Sequence, residues 1–90
     1  MSHFEVFLGN KAEKQFGLLD QKIRERISEV LKTLEQNPVP FKECHLKKMA
    51  GSENSYRIRI SSHRVLYEVL PSERKIKVTK IERRSDNTYD

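Results

Sequence analysis

Residues 56–69, YRIRISSHRVLYEV, restrict the fold more than any other part of the chain, because apolar and polar residues alternate there on both sides of a short polar turn. Successive side chains of a strand leave on opposite faces, so strict alternation marks a half-buried strand. Tyr56, Ile58 and Ile60 therefore share one face, and after a turn at Ser61-Ser62-His63 the residues Val65, Tyr67 and Val69 return to it. Arg57, Arg59 and Arg64 fall on the other face. One side of this hairpin belongs to a core. The other carries converging guanidiniums, which suit a multiply charged anion such as an RNA phosphate.

The cover for the apolar side lies upstream. Ile23, Ile27, Val30, Leu31 and Leu34 recur at i, i+4, i+7, i+8 and i+11, the stripe of an amphipathic helix. Asp20 caps it, and it ends near Asn37 because Pro38 and Pro40 follow. A shorter helix over residues 11–19 is predicted from Ala12, Phe16 and Leu19, with Asn10 and Glu13 at capping-box spacing. Phe4, Val6 and Leu8 form a first strand that stops at Gly9. Beyond the prolines a strand is expected over residues 45–49, a turn over 50–54, the hairpin, a turn over 71–73, and a last strand to about Ile81. In that last strand Ile76 and Val78 alternate with Lys75, Lys77 and Thr79. The fold class is α+β: an N-terminal strand, a helical hairpin, then an antiparallel β-meander, with the helices on one face. The expected core is Ile23, Ile27, Val30, Leu34, Ile58, Ile60, Val65, Tyr67 and Val78.

Ninety residues is the size of one small domain, here taken as residues 1–90. Leu, Ile, Val and Phe make up 24 of the 90, above the roughly 20% below which a charged chain stays disordered. The net charge of +5 arises in the second half: residues 1–40 carry six Lys/Arg against six Asp/Glu, residues 41–90 twelve against seven. This points to a polyanionic or acidic partner. Cys44 is the only cysteine, so no internal disulfide forms, and no Cys/His cluster has zinc spacing. No signal-peptide pattern or membrane-length apolar run is present, and the chain reads as a soluble cytoplasmic protein without a metal or other cofactor.

The segments LKKMAG (residues 46–51), YRIRISSHRVLYEV and the terminal RRSDNTYD resemble the RelE/ParE superfamily of toxins from type II toxin-antitoxin pairs, over about residues 3–89. The resemblance implies a RelE-like toxin fold, neutralisation by a cognate acidic antitoxin, and, for the RelE-like branch, an endoribonuclease that cleaves messenger RNA in the ribosomal A site and inhibits translation. ParE-like members instead act on DNA gyrase without cutting RNA. A noncatalytic homologue that binds RNA or antitoxin is the third class. In the RelE-like branch the outward positions of the Y-x-I-x strand are basic, here Arg57 and Arg59, and arginine opens the next strand, here Arg64. The best-known members have lysine at the first two. A late arginine, Arg83 or Arg84, and Tyr89 would complete the site. Counting back from Tyr89, or continuing the alternation past Thr79, selects Arg83; matching the hydrophobic end of the strand at Ile81 selects Arg84. Arg83 is preferred, and a bulge near Ile81 would reverse the choice.

Cleavage of RNA by its own 2′-hydroxyl requires that a proton be removed, charge on phosphorus stabilised and the leaving 5′-oxygen assisted. Guanidiniums suit the second task and are poor bases. His63 has an imidazole suited to proton transfer, although a solvent-exposed turn residue is the plainer reading; His3 and His45 have no partner pattern. Tyr89 suits stacking on a splayed base. Lys47, Lys48, Lys77 and Lys80, with Lys75, fit diffuse contacts to RNA or ribosome. Glu82 is an acidic residue where the superfamily often has a small one or a histidine, and it counts against an enzyme.

Overall fold

The computed structural model describes residues 3–39, 45–51 and 53–83. The chain runs β1 (Glu5–Leu8), α1 (Asn10–Gly17), α2 (Gln21–Gln36), β2 (His45–Lys48), β3 (Ser55–Ile60), β4 (His63–Leu70) and β5 (Lys75–Arg83). The strands form one sheet in the order β1-β5-β4-β3-β2. β1 runs parallel to β5, and the other three pairings are antiparallel. The helical pair thus carries the chain from one edge of the sheet to the other. This is the α+β architecture that the alternating and helical periods predict.

α1 begins one residue earlier than its capping pattern implies. Gly9 is the N-cap, so Asn10 is already helical and its side chain caps nothing. The reason is close approach to β5: the Gly9 N–H donates to the Val78 carbonyl at 2.9 Å, and a Cβ at Gly9 would sit 3.2 Å from the Lys77 side chain. β1 ends opposite Val78. Past that point Gln15 of α1 takes the place of a neighbouring strand, its Oε1 accepting from the Ile81 N–H at 2.8 Å. Asp20 caps α2 as expected, accepting from the Ile23 N–H at 3.1 Å. Arg24 donates to the Leu19 carbonyl at 2.9 Å and so fastens the two helices at their junction.

The core is one cluster of Ala12, Ile27 and Leu34 from the helices with Ile58, Ile60, Val65, Tyr67, Val69, Ile76, Val78 and Ile81 from the sheet. Ile23 and Val30 pack against it without being fully buried. Tyr67 stacks on Tyr56 at 5.7 Å between ring centroids, and its hydroxyl donates to the Pro38 carbonyl at 2.7 Å, tying the end of α2 to the sheet.

The hairpin turn is shorter than expected. His63 pairs with Ile60, which leaves only Ser61 and Ser62 as the loop, and Ser61 takes a φ of 55°. Two-residue hairpins need positive φ because their turn must match the twist of the strands. His63 is therefore a strand residue. It is buried on the same face as Val65, not exposed in a turn.

Candidate anion-binding face of the sheet

Burial along β3 and β4 separates the two faces. Ile58, Ile60, Val65, Tyr67 and Val69 are buried beneath the helices, while Arg57, Arg59 and Arg64 project from the opposite side. Arg59 and Arg64 are direct cross-strand partners, as are Arg57 and Leu66. Direct partners on antiparallel strands have Cβ atoms about 5 Å apart, so two guanidiniums are held side by side with a third one strand repeat away. Arg59 is exposed, Arg57 is half-buried, and the Arg64 side chain retains 15% of its accessible surface. Like charges placed opposite one another cost stability, and a phosphate between them reverses the sign of that cost.

The register extends this face by one strand each way. Lys47 lies beside Arg57 on β2. On β5, Lys80 is opposite Leu66 and Glu82 is opposite Arg64. A register shift between Leu66 and Tyr67 leaves Thr79 as an extra residue in β5, with its hydroxyl donating to the Leu66 carbonyl at 3.2 Å. This bulge inverts the alternation of the strand's second half. Ile76 and Val78 are buried, then Ile81.

The register places Arg83 and Lys48 away from the open face. Arg83, preferred on uninterrupted alternation, pairs with His63 on the helix side and does not join Arg57, Arg59 and Arg64. Arg84, the alternative to Arg83, and Tyr89 lie outside the described residues. Lys48 pairs with Tyr56 and so takes the helix-side parity, unlike its neighbour Lys47. Lys77 is on the open face, but its side chain lies against Gly9 at the β1 side, away from the arginines.

Glu82 sits among the cations. Its carboxylate accepts from Lys80 Nζ at 2.8 Å and lies 3.7 Å from Arg64 Nη2. The hydrogen bond from Lys80, together with the charges of Lys80, Arg64 and Lys11, holds its pKa below the usual carboxylate value against the opposing effect of burial. His63, on the other face, is pushed below the ordinary imidazole value by burial and by the nearby Arg83 charge, with Asp20 acting against both. His63 is thus removed from the arginine face, while the β2 register sets His45 opposite Arg59. Among the described residues no cluster of His, Cys, Asp and Glu has the makings of a metal site, and no helix is long and apolar enough to cross a membrane.

The geometry is thus an open cationic sheet face backed by a helical pair. A family model described as the ParE toxin of the type II toxin-antitoxin system parDE matches residues 8–88. The RelE1 protein of Methanocaldococcus jannaschii, named as a candidate toxin, is 35% identical over 81 residues, 90% of this chain and 90% of that protein. A chain of the archaeal RelE–RelB complex from Pyrococcus horikoshii OT3 superposes with a TM-score of 0.83 at 27% identity, covering 93% of this chain and 98% of that one. The isolated E. coli RelE toxin superposes at 0.80 over 96% of this chain and 88% of its own, and at 19% identity that likeness speaks for the fold alone. This chain belongs to the RelE/ParE superfamily and is a toxin of the type II toxin-antitoxin class.

Proposed function

We propose that this toxin is a ribosome-dependent endoribonuclease that cuts messenger RNA in the A site and so stops translation in the cytoplasm. The observation that carries the reading is the shared open face of Arg57, Arg59 and Arg64, with Lys47 beside them. Guanidiniums on one face can converge on a phosphodiester, donate paired hydrogen bonds to its two nonbridging oxygens and stabilise the charge that grows on them during in-line attack. Arg84 supplies a further cation and Tyr89 stacks on a neighbouring base. Guanidiniums do not readily exchange protons. The arginines therefore act by charge stabilisation, and the ribosome contributes the alignment of the 2′-hydroxyl. Free RNA is cut poorly.

The partner that silences it is an acidic antitoxin, drawn by the excess of positive charge in residues 41–90. Titration calorimetry with the product of an adjacent gene should give a complex that weakens as salt rises; no complex at low salt would count against it. The nuclease reading is tested by adding protein to programmed ribosomes and mapping message ends by primer extension, with Arg64→Ala and Tyr89→Ala alongside wild type. The match to the ParE family model favours a second reading, action on DNA gyrase. Growth arrest with intact A-site message and a DNA-damage response would select it.

A further inference from the structure

The arginine face has three cations suited to a phosphate and, at its β2 edge, the position of His45 opposite Arg59, whereas His63 of the hairpin is on the helix side. It also contains a carboxylate and an amine in direct contact. Glu82 and Lys80 project from β5 on the arginine side, two residues apart, with 2.8 Å between Oε2 and Nζ. Glu82 is also the cross-strand partner of Arg64, whose own partner on β3 is Arg59. The row Arg59, Arg64, Glu82 thus sets an acceptor one strand away from the two arginines that would hold the scissile phosphate.

We propose that Glu82 and Lys80 are the general base and general acid of RNA cleavage on this face. The assignment rests on the nuclease reading above. In the free protein Arg64 and Lys80 both attract the carboxylate, and Lys11 of α1 adds to the positive field around it. A phosphate bound across Arg59 and Arg64 competes for the Arg64 guanidinium and releases one side of that hold, which makes the carboxylate more basic when substrate is present. Glu82 then takes the proton of the 2′-hydroxyl as the 2′-oxygen forms its bond to phosphorus. The bond from phosphorus to the 5′-oxygen breaks, and Lys80 donates a proton to that oxygen. The products are a 2′,3′-cyclic phosphate and a 5′-hydroxyl. Protonated Glu82 and neutral Lys80 are left in contact, and the proton passes from one to the other to restore the starting state.

The alternative is that Glu82 only tempers the cationic face, in which case its removal would strengthen RNA binding and hasten cleavage. The two are separated on programmed ribosomes in single-turnover reactions with Glu82→Gln and Lys80→Arg. Loss of a general base slows cleavage on the order of 10²-fold or more, and Glu82→Gln should do so while binding a message with a 2′-deoxy residue at the cut position at least as well as wild type. Lys80→Arg keeps the cation but is a poor proton donor, and it should be slowed on ordinary message. With a bridging 5′-sulfur at the cut position, whose departure needs no proton, Lys80→Arg should recover and Glu82→Gln should not. Cleavage by Glu82→Gln at or above the wild-type rate overturns the assignment, as does Lys80→Arg being equally slow on both messages. If wild-type protein leaves both messages whole, the nuclease reading falls and this pair with it.

Discussion

Replacing Arg59 by threonine should make the protein more stable and less active. Arg59 is exposed and lies directly opposite Arg64. Two like charges about 6 Å apart in an aqueous dielectric repel by about 0.7 kcal/mol. Threonine removes that repulsion and adds a β-branched residue suited to a strand, so a gain of about 0.5–1 kcal/mol is expected. For a chain of 90 residues this corresponds to a rise in Tm of roughly 2–8 °C. The salt dependence identifies the cause. At about 1 M salt the Debye length falls to roughly 3 Å and the repulsive part of the gain should vanish, leaving only the propensity part. Calorimetry of wild type and Arg59→Thr at low and high salt measures both quantities, and the cleavage rate on programmed ribosomes should fall on the order of 10²-fold in parallel. A variant that is less stable than wild type at low salt, or whose gain is independent of salt, would refute the idea that this face is held in electrostatic tension for an anion.

Tyr67→Phe deletes the hydroxyl that donates to the Pro38 carbonyl at 2.7 Å and should cost about 1–2 kcal/mol in urea denaturation. Leu34→Ala, at a fully buried position facing the sheet, should cost about 2–5 kcal/mol in the same assay. His63 binds its proton less readily folded than unfolded, so its contribution to stability is complete above the unfolded value near 6.5 and is lost as pH falls through the lower folded value. Urea midpoints should decline as pH falls below the unfolded imidazole value near 6.5, and His63→Gln should flatten that decline; Glu82, held below the usual carboxylate value, titrates at lower pH still.

Most of the fold was legible because period and position agreed. The 3.6-residue stripe of α2, stopped by Pro38, and the alternation of β3 and β4 each pointed to a single face, and Ile27, Leu34, Ile58 and Val65 are buried where those patterns put them. The arginine face was legible for the same reason. What escaped was local geometry. The spacing of Ile76, Val78 and Ile81 changes from two to three, which is the trace of the bulge at Thr79, and reading through it sent Arg83 to the wrong side. The hairpin turn was drawn one residue too long, so His63 was assigned to solvent although its parity with Val65 already set it on the core side. Glu82 was weighed as a charge of the wrong sign. Its pairing with Lys80 and Arg64 depends on cross-strand register, which a single strand's sequence does not contain.

The central claim is that the RNA is held on the open face and not on the side shared with the helices, and single-turnover cleavage by a set of alanine variants measures this most directly. Arg57→Ala, Arg59→Ala and Arg64→Ala should each lose on the order of 10²-fold in rate. Lys48→Ala and Arg83→Ala, whose positions pair with Tyr56 and His63 on the other side, should stay within a few-fold of wild type, with message binding that loses little of its salt dependence. Near-normal cleavage by the three open-face variants, with Arg83→Ala strongly impaired, would contradict the claim.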